Sequence, residues 1–282
     1  MRLLNFILLI AVSKSFASES IPAAIQIDDD LKSDKKLMAI ALSMKLAYGV
    51  AIEKVSRNNM NNVSFKICGN DFIYDDGRSK TADEYLSSPD IEDMFNQAYP
   101  IGDLKKRVTK DFDPGRSHVE SLFKLLYGSN IEQVQSSLEE IDFFGTKVQF
   151  NSRFGAAKEL RAIIAELNVL FKKSPELKEY TQGLGGAFNW RPISGTSRLS
   201  SHSFGISIDL NVKKSSYWLW SKSFEFEALP GGGWPIGIIK IFENHGFIWG
   251  GKWWHYDTMH FEYRPELLAY SRNYQPENIN GK

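Results

Sequence analysis

The sequence predicts an α+β fold: a small antiparallel sheet carrying the functional site, flanked by helices and preceded by a mostly helical N-terminal extension. Lys36 to Val55 is apolar nearly all round, as in a packed helix, and Phe154 to Lys173 carries Leu160, Ile163, Ile164, Leu167, Leu170 and Phe171 at helical spacing on one face. After Tyr180 the pattern shortens to short, turn-bounded strand-like stretches with few helices between them. That combination favours antiparallel over parallel pairing.

Residues 1–17, MRLLNFILLIAVSKSFA, have a cationic start at Arg2, an apolar run from Leu3 to Val12 and small residues at Ser15 and Ala17. This reads as a signal peptide, with the mature chain beginning near Ser18. The apolar run is too short for a permanent span, so the expectation is an exported chain, periplasmic or extracellular, without stable membrane insertion. Residues 18–140 form an N-terminal helical or mixed region, 141–274 the domain with the site, and 275–282 a polar, disordered tail.

Within the N-terminal region, Lys36 to Val55 is apolar nearly all round and reads as a packed helix. Phe72, Ile73 and Tyr74 form a short strand before the turn Asp75-Asp76-Gly77. Asp113-Pro114-Gly115 is a second turn, and the helix VESLFKLLYG after it closes at Gly128. Further on, Gly186–Trp190, Gly205–Val212, Phe247–Trp249 and Met259–Tyr263 read as strands. Ile236–Asn244 is a helix ended by His245-Gly246, and Gly231-Gly232-Gly233 is a flexible loop rather than a phosphate cradle.

Composition is that of an ordinary globular protein, 43% hydrophobic and 24% charged, with ample material for a core. A formal net charge of zero gives no electrostatic case for nucleic acid. Cys68 is the sole cysteine, which excludes an intrachain disulfide; it reads as a small buried side chain. Oligomeric state is not encoded in any of these features.

The chemistry concentrates in SSHSFGISIDL, residues 200–210, and WWHYDTMHFEY, residues 253–263. Alternation sends Met259 and Phe261 one way and His260 and Glu262 the other. If the two strands are neighbours, His202, Asp209 and His260 converge as two imidazoles and a carboxylate, a tetrahedral zinc set with a fourth position open. Asp257, three residues before His260, is well placed to act as general base if the chain turns there. His255 has three readings: a partner to the site or substrate contact, an exposed loop histidine, or the ligand in place of His260. His118 and His245 lie beside turn and helix-end signals and read as surface or capping residues. Trp249, Trp253, Trp254 and Tyr256 read as packing around the site, with a wall for a glycan or muropeptide as the other possibility.

The pattern Ser200-x-His202-x-x-Gly205-x-Ser207-x-Asp209, followed by Asp257-x-x-His260-Phe261-Glu262, resembles the VanY-type D-alanyl-D-alanine carboxypeptidase family of zinc peptidases. That group includes L-alanyl-D-glutamate endopeptidases and is related in fold to lysostaphin-type peptidases and hedgehog domains. Ser207 stands where the family usually has alanine, and Thr258 breaks the H-x-H pattern of the lysostaphin side. The resemblance covers about Phe154 to Leu268. It implies Zn2+ held by His202, Asp209 and His260, Asp257 as the base, and Arg191 as an arginine contacting substrate or oxyanion. Arg198, in a loop nearer His202, competes for that last role. The implied substrate is peptidoglycan or a muropeptide, cut by a D-alanyl-D-alanine carboxypeptidase-like reaction. The alternatives are the endopeptidase reaction and a non-catalytic, zinc-stabilised binding or regulatory module.

Overall fold

A computed structural model describes residues 24–104, 106–220 and 233–274. The signal-peptide segment 1–17, the tail 275–282 and two of the three glycines at 231–233 lie outside the described residues.

The chain opens with a two-residue strand β1 (Gln26–Ile27) and helix α1 (Lys35–Tyr48). Asp34 caps α1 by accepting from the Leu37 amide at 3.0 Å, satisfying one of the amides a helix start leaves bare. The helix stops well before the expected Val55, because Gly49 adopts φ 56°, outside the helical region. The chain then enters strand β2 (Ile52–Arg57), with Ile52 and Val55 buried, and continues through β3 (Val63–Ile67) and β4 (Asn70–Ile73). Together they make a four-stranded sheet in the order β1-β2-β3-β4. The N-terminal region is therefore mixed rather than mostly helical, since its alternating segments pair with one another. Cys68 sits in the β3–β4 turn with φ 45° and is exposed, not buried, because a tight turn points its side chain to solvent.

Two short helices come next, α2 (Ala82–Ser87) and α3 (Glu120–Tyr127), the latter capped at Gly128 as its sequence suggests. After α4 (Ile131–Gln135), β5 (Leu138–Phe143) and β6 (Thr146–Asn151) form a hairpin. Helix α5 (Ala156–Lys173) lays Leu160, Ile163, Leu167 and Phe171 inward against it. The position 140/141 falls inside β5, and one hydrophobic cluster runs from Leu31 to Tyr270.

Strand β7 (Ser207–Asp209), helix α6 (Ile236–Asn244), strands β8 (Phe247–Trp249) and β9 (His260–Tyr263) and helix α7 (Pro265–Asn273) complete the chain. The three strands form an antiparallel sheet in the order β7-β9-β8. The expected strand at Gly186–Trp190 is reduced to a single bridge, Gly186 opposite Asp209. Its neighbour Gly185 explains the close approach: a Cβ there would stand 2.9 Å from the Cβ of Asp209.

Helix α1 packs on α7, and the Tyr48 hydroxyl donates to Glu266 Oε2 at 2.8 Å across 218 residues of sequence. Among the described residues no helix is long and apolar enough to cross a membrane.

Candidate metal centre

Asp209 and His260 are brought together by strand register, standing opposite each other on β7 and β9. His202 arrives differently. It lies in a 3-10 turn, Ser201–Phe204, whose amide at His202 is capped by the Ser200 hydroxyl. Gly205 ends that turn at φ 67°, a left-handed conformation that favours glycine. There is no room for a side chain either: a Cβ at Gly205 would come within 2.6 Å of Leu138 Cδ2. Gly205 thus folds the chain back so that two residues seven apart face the same point.

His202 Nε2 lies 3.2 Å from Asp209 Oδ1 and 3.2 Å from His260 Nδ1, and the third side of the triangle, His260 Nδ1 to Asp209 Oδ1, is 3.0 Å. The outward nitrogens show what these atoms offer. His202 Nδ1 is 2.5 Å from the Ala187 carbonyl, which can only accept, so Nδ1 carries the proton and Nε2 is bare. His260 Nε2 donates to Glu262 Oε2 at 3.3 Å, which leaves Nδ1 bare in the neutral ring. Three lone-pair-bearing atoms therefore converge, an arrangement that calls for a positive charge between them. For an ion about 2.0–2.1 Å from each donor in tetrahedral geometry, the donors stand about 3.3 Å apart. The donor set fits zinc in kind and in spacing, and these three residues form a group able to hold a metal ion.

The electrostatics carry the same message. Burial opposes the charge of Asp209, yet His202 and His260 outweigh it and hold the carboxyl far below the usual range. Burial likewise opposes an imidazolium at His260, but Asp209 and Glu262 raise its pKa to about 10. A cation placed among these atoms would take over the role of that proton.

Asp257 lines the same cleft, a cavity of ≈ 330 Å³. Among the described residues its Oδ1 is buried without a hydrogen-bond partner. Burial raises its pKa to about 6, against the pull of His260 and with the push of Asp209. A cation in the triangle would lower that value and keep the carboxylate ionised near neutrality.

Behind His260 stands a charged stack that sequence reading did not single out. Glu262 pairs with Arg264 Nη1 at 3.3 Å, and Arg264 Nε donates to Glu266 Oε1 at 2.5 Å. Arg264 is fully buried. Burial works against the charge of Glu262, but His260 and Arg264 hold its pKa at about 2, so it remains a carboxylate acceptor for His260. The i, i+2 spacing of Glu262 on the strand and Arg264 just past its end was the available signal.

His255 does not join the triangle. Its Nδ1 is 2.6 Å from Asp113 Oδ2 and its amide donates to Asp113 Oδ1 at 2.8 Å, which fixes it on the cleft wall. His118 and His245 are buried, not surface residues, because α3 and the helices α5 and α6 close over them; His245 is the C-cap of α6, as the helix-end signal suggests. Trp249 and Trp253 are buried as packing, Trp249 against Phe261. Arg191 is exposed at the cleft rim, bonded through its amide to Ser203 Oγ at 2.9 Å. Arg198, the loop residue, is the better anchored of the two, donating to the Arg116 carbonyl at 3.3 Å.

Other acidic groups lie near one another at Asp75, Asp76, Asp90, Glu92 and Asp93. Lys80 Nζ already serves Asp76, Asp90 and Asp93, at 3.1, 2.8 and 2.5 Å.

Residues 194–263 match the family model described as D-alanyl-D-alanine carboxypeptidase. The match supports a peptidase. It spans less than half of the chain, contains His202, Asp209, Asp257 and His260, and begins after Arg191. No curated protein and no solved structure matches the chain.

Proposed function

We propose that the chain is a zinc-dependent peptidase acting on peptidoglycan stem peptides in a D-alanyl-D-alanine carboxypeptidase-like reaction, outside the cytoplasm. The observation that carries this reading is the triangle of donor atoms of His202, Asp209 and His260 sharing a cleft with a carboxylate oxygen of Asp257 that has no partner among the described residues. A structural zinc site is usually closed by four protein ligands and needs no base; three ligands beside a free carboxylate suit hydrolysis better.

Bound by the three side chains, zinc would supply Lewis-acid activation of a water and of the scissile carbonyl. Asp257 takes the proton of the attacking water at Oδ1 and returns it to the leaving amine. Its burial makes it basic enough for the first step, and the neighbouring charges keep it ionised beforehand. His202 is held in one tautomer by the Ala187 carbonyl and His260 by Glu262, so neither ring needs to reorient during turnover. Arg191, at the rim, is the residue through which the family resemblance would have substrate or oxyanion held. Trp253, Tyr217 and Trp218 line the same cleft as an aromatic wall.

The test is digestion of purified peptidoglycan by the zinc-loaded chain, with mass analysis of the fragments. Loss of a single alanine, abolished by chelator, is the expected result. Release of fragments cut between L-alanine and D-glutamate would assign the endopeptidase reaction, and zinc binding without any cleavage would assign a binding module.

A further inference from the structure

Two guanidinium groups besides Arg191 reach the cleft, those of Arg116 and Arg198. They come from distant parts of the chain and are tied together through the bond from Arg198 Nη1 to the Arg116 carbonyl. Arg116 lies over the Trp253 ring, 5.9 Å from its centroid.

The carboxylates around them are engaged elsewhere. Asp113 is 3.7 Å from Arg116 Nη1, but both of its oxygens are held more closely by His255. Glu120, the acid nearest Arg198 in effect, binds Lys124 at 2.6 Å and the Leu199 amide at 2.8 Å. Glu262 is held by His260 and Arg264. Among the described residues, Arg198 has no carboxylate within ion-pair distance. Burial, reinforced by the charge of Arg116 and opposed by Glu120 and Glu262, depresses its pKa below the ordinary arginine value. Beside them His118 lines the same cleft, 4% exposed, with Nε2 buried and unpartnered among the described residues.

We propose that Arg116 and Arg198 form an anion subsite that holds a carboxylate of the bound peptide beside the metal-ligand triangle, with the polar Nε2 of His118 at the same wall. The proposal rests on the peptidase reading and deepens it. Two planar forks at one wall can take a carboxylate through charge-assisted hydrogen bonds, which a lysine cannot reproduce. Arg116 and His118 precede the segment 194–263, so this specificity is supplied by the N-terminal region, for which the zinc site itself gives no role.

Two carboxylates are available in a stem peptide, the terminal one and that of D-glutamate, and the test separates them. Tryptophan fluorescence of the zinc-loaded Asp257→Asn chain would be titrated with N-acetyl-Lys-D-Ala-D-Ala as free acid and as C-terminal amide. A second pair would be a stem tripeptide amide with D-glutamate and its D-glutamine counterpart. In at least one pair the acid should bind about tenfold more tightly, the scale of a hydrogen bond to a charged group. The pair that shows it identifies the carboxylate. Arg116→Gln and Arg198→Gln should each reduce the preference to about twofold or less, with zinc content and melting temperature unchanged, and Arg116→Lys should restore it only in part. Acid and neutral peptides binding alike in both pairs, including no binding of any, overturns the subsite, as does a preference that survives both glutamine variants. Hydrolysis is read separately with the wild-type chain: a carboxylate preference without cleavage would sink the peptidase reading and leave the subsite standing.

Discussion

Asp209 and His260 face each other across an antiparallel strand pair, with Oδ1 3.0 Å from Nδ1. Side chains alternate along a strand, so a slip of one residue would send one of the two to the opposite face. The hydrophobic partners Ile208 and Phe261, both fully buried and also paired in register, forbid that slip. The core and the candidate site are thus specified by the same register.

If this triangle is the metal site, the purified chain should bind about one zinc, as a single three-ligand set would. Alanine at His202, Asp209 or His260 should each remove most of it, measured by atomic absorption after gel filtration. His255→Ala should retain it, since that ring is held by Asp113. Full zinc in the His260 variant together with loss in the His255 variant would overturn the assignment.

Glu262→Gln tests the stack behind His260. The amide keeps the size of the carboxylate but weakens both its hold on the His260 Nε2–H and its pairing with Arg264. Zinc affinity should fall by about 10–100-fold, the usual effect of losing such a partner, in a chain that still folds. Chelator competition measures it, and unchanged affinity would show that the contact does not orient the ligand.

Asp257→Asn separates binding from chemistry. Zinc should stay, because Asp257 is no member of the triangle, while turnover on muropeptide falls by about 100-fold or more, as expected for loss of a general base. A variant as fast as wild type sinks the mechanism.

His245 predicts a pH dependence of stability. Burial disfavours its charge, but Glu159 at 2.6 Å and Glu166 at 3.1 Å outweigh that and raise its pKa above the ordinary 6.5. A raised pKa means that the folded chain binds the proton more tightly than the unfolded one. The contribution is therefore full below 6.5 and is lost as pH rises through the folded value. Urea midpoints should decline on that alkaline side, and His245→Gln should flatten the decline. An identical pH slope in the variant would dismiss the pair as a stabilising contact.

Residues 200–210 and 253–263 carry enough local information to be read directly. Donor types, their spacing and the alternation of Met259 to Glu262 put His260 and Glu262 on one face, where they hydrogen-bond. The amphipathic spacing of Phe154 to Lys173 and the apolar helix Ile236–Asn244 were similarly legible, with the first helix beginning two residues later than its pattern suggested. Lys36 to Val55 misled, since apolar residues on all sides suit a buried helix and a buried strand equally; Gly49 was the signal that separates them.

By itself, then, the sequence determined the α+β class and offered His202, Asp209 and His260 as donors that converge if their strands are neighbours, because periodicity and donor chemistry are properties of neighbouring residues; that β7 and β9 pair is a tertiary fact. Only the tertiary structure decided that Gly186–Trp190 contributes one bridge rather than a strand, and that His118 and His245 are buried. It also decided that Tyr48, Glu266, Arg264 and Glu262 link the first helix to His260. Such features depend on which distant segments close over a residue. Burial and the pairing of charges are set by the groups on the far side of a contact, and no local pattern names them.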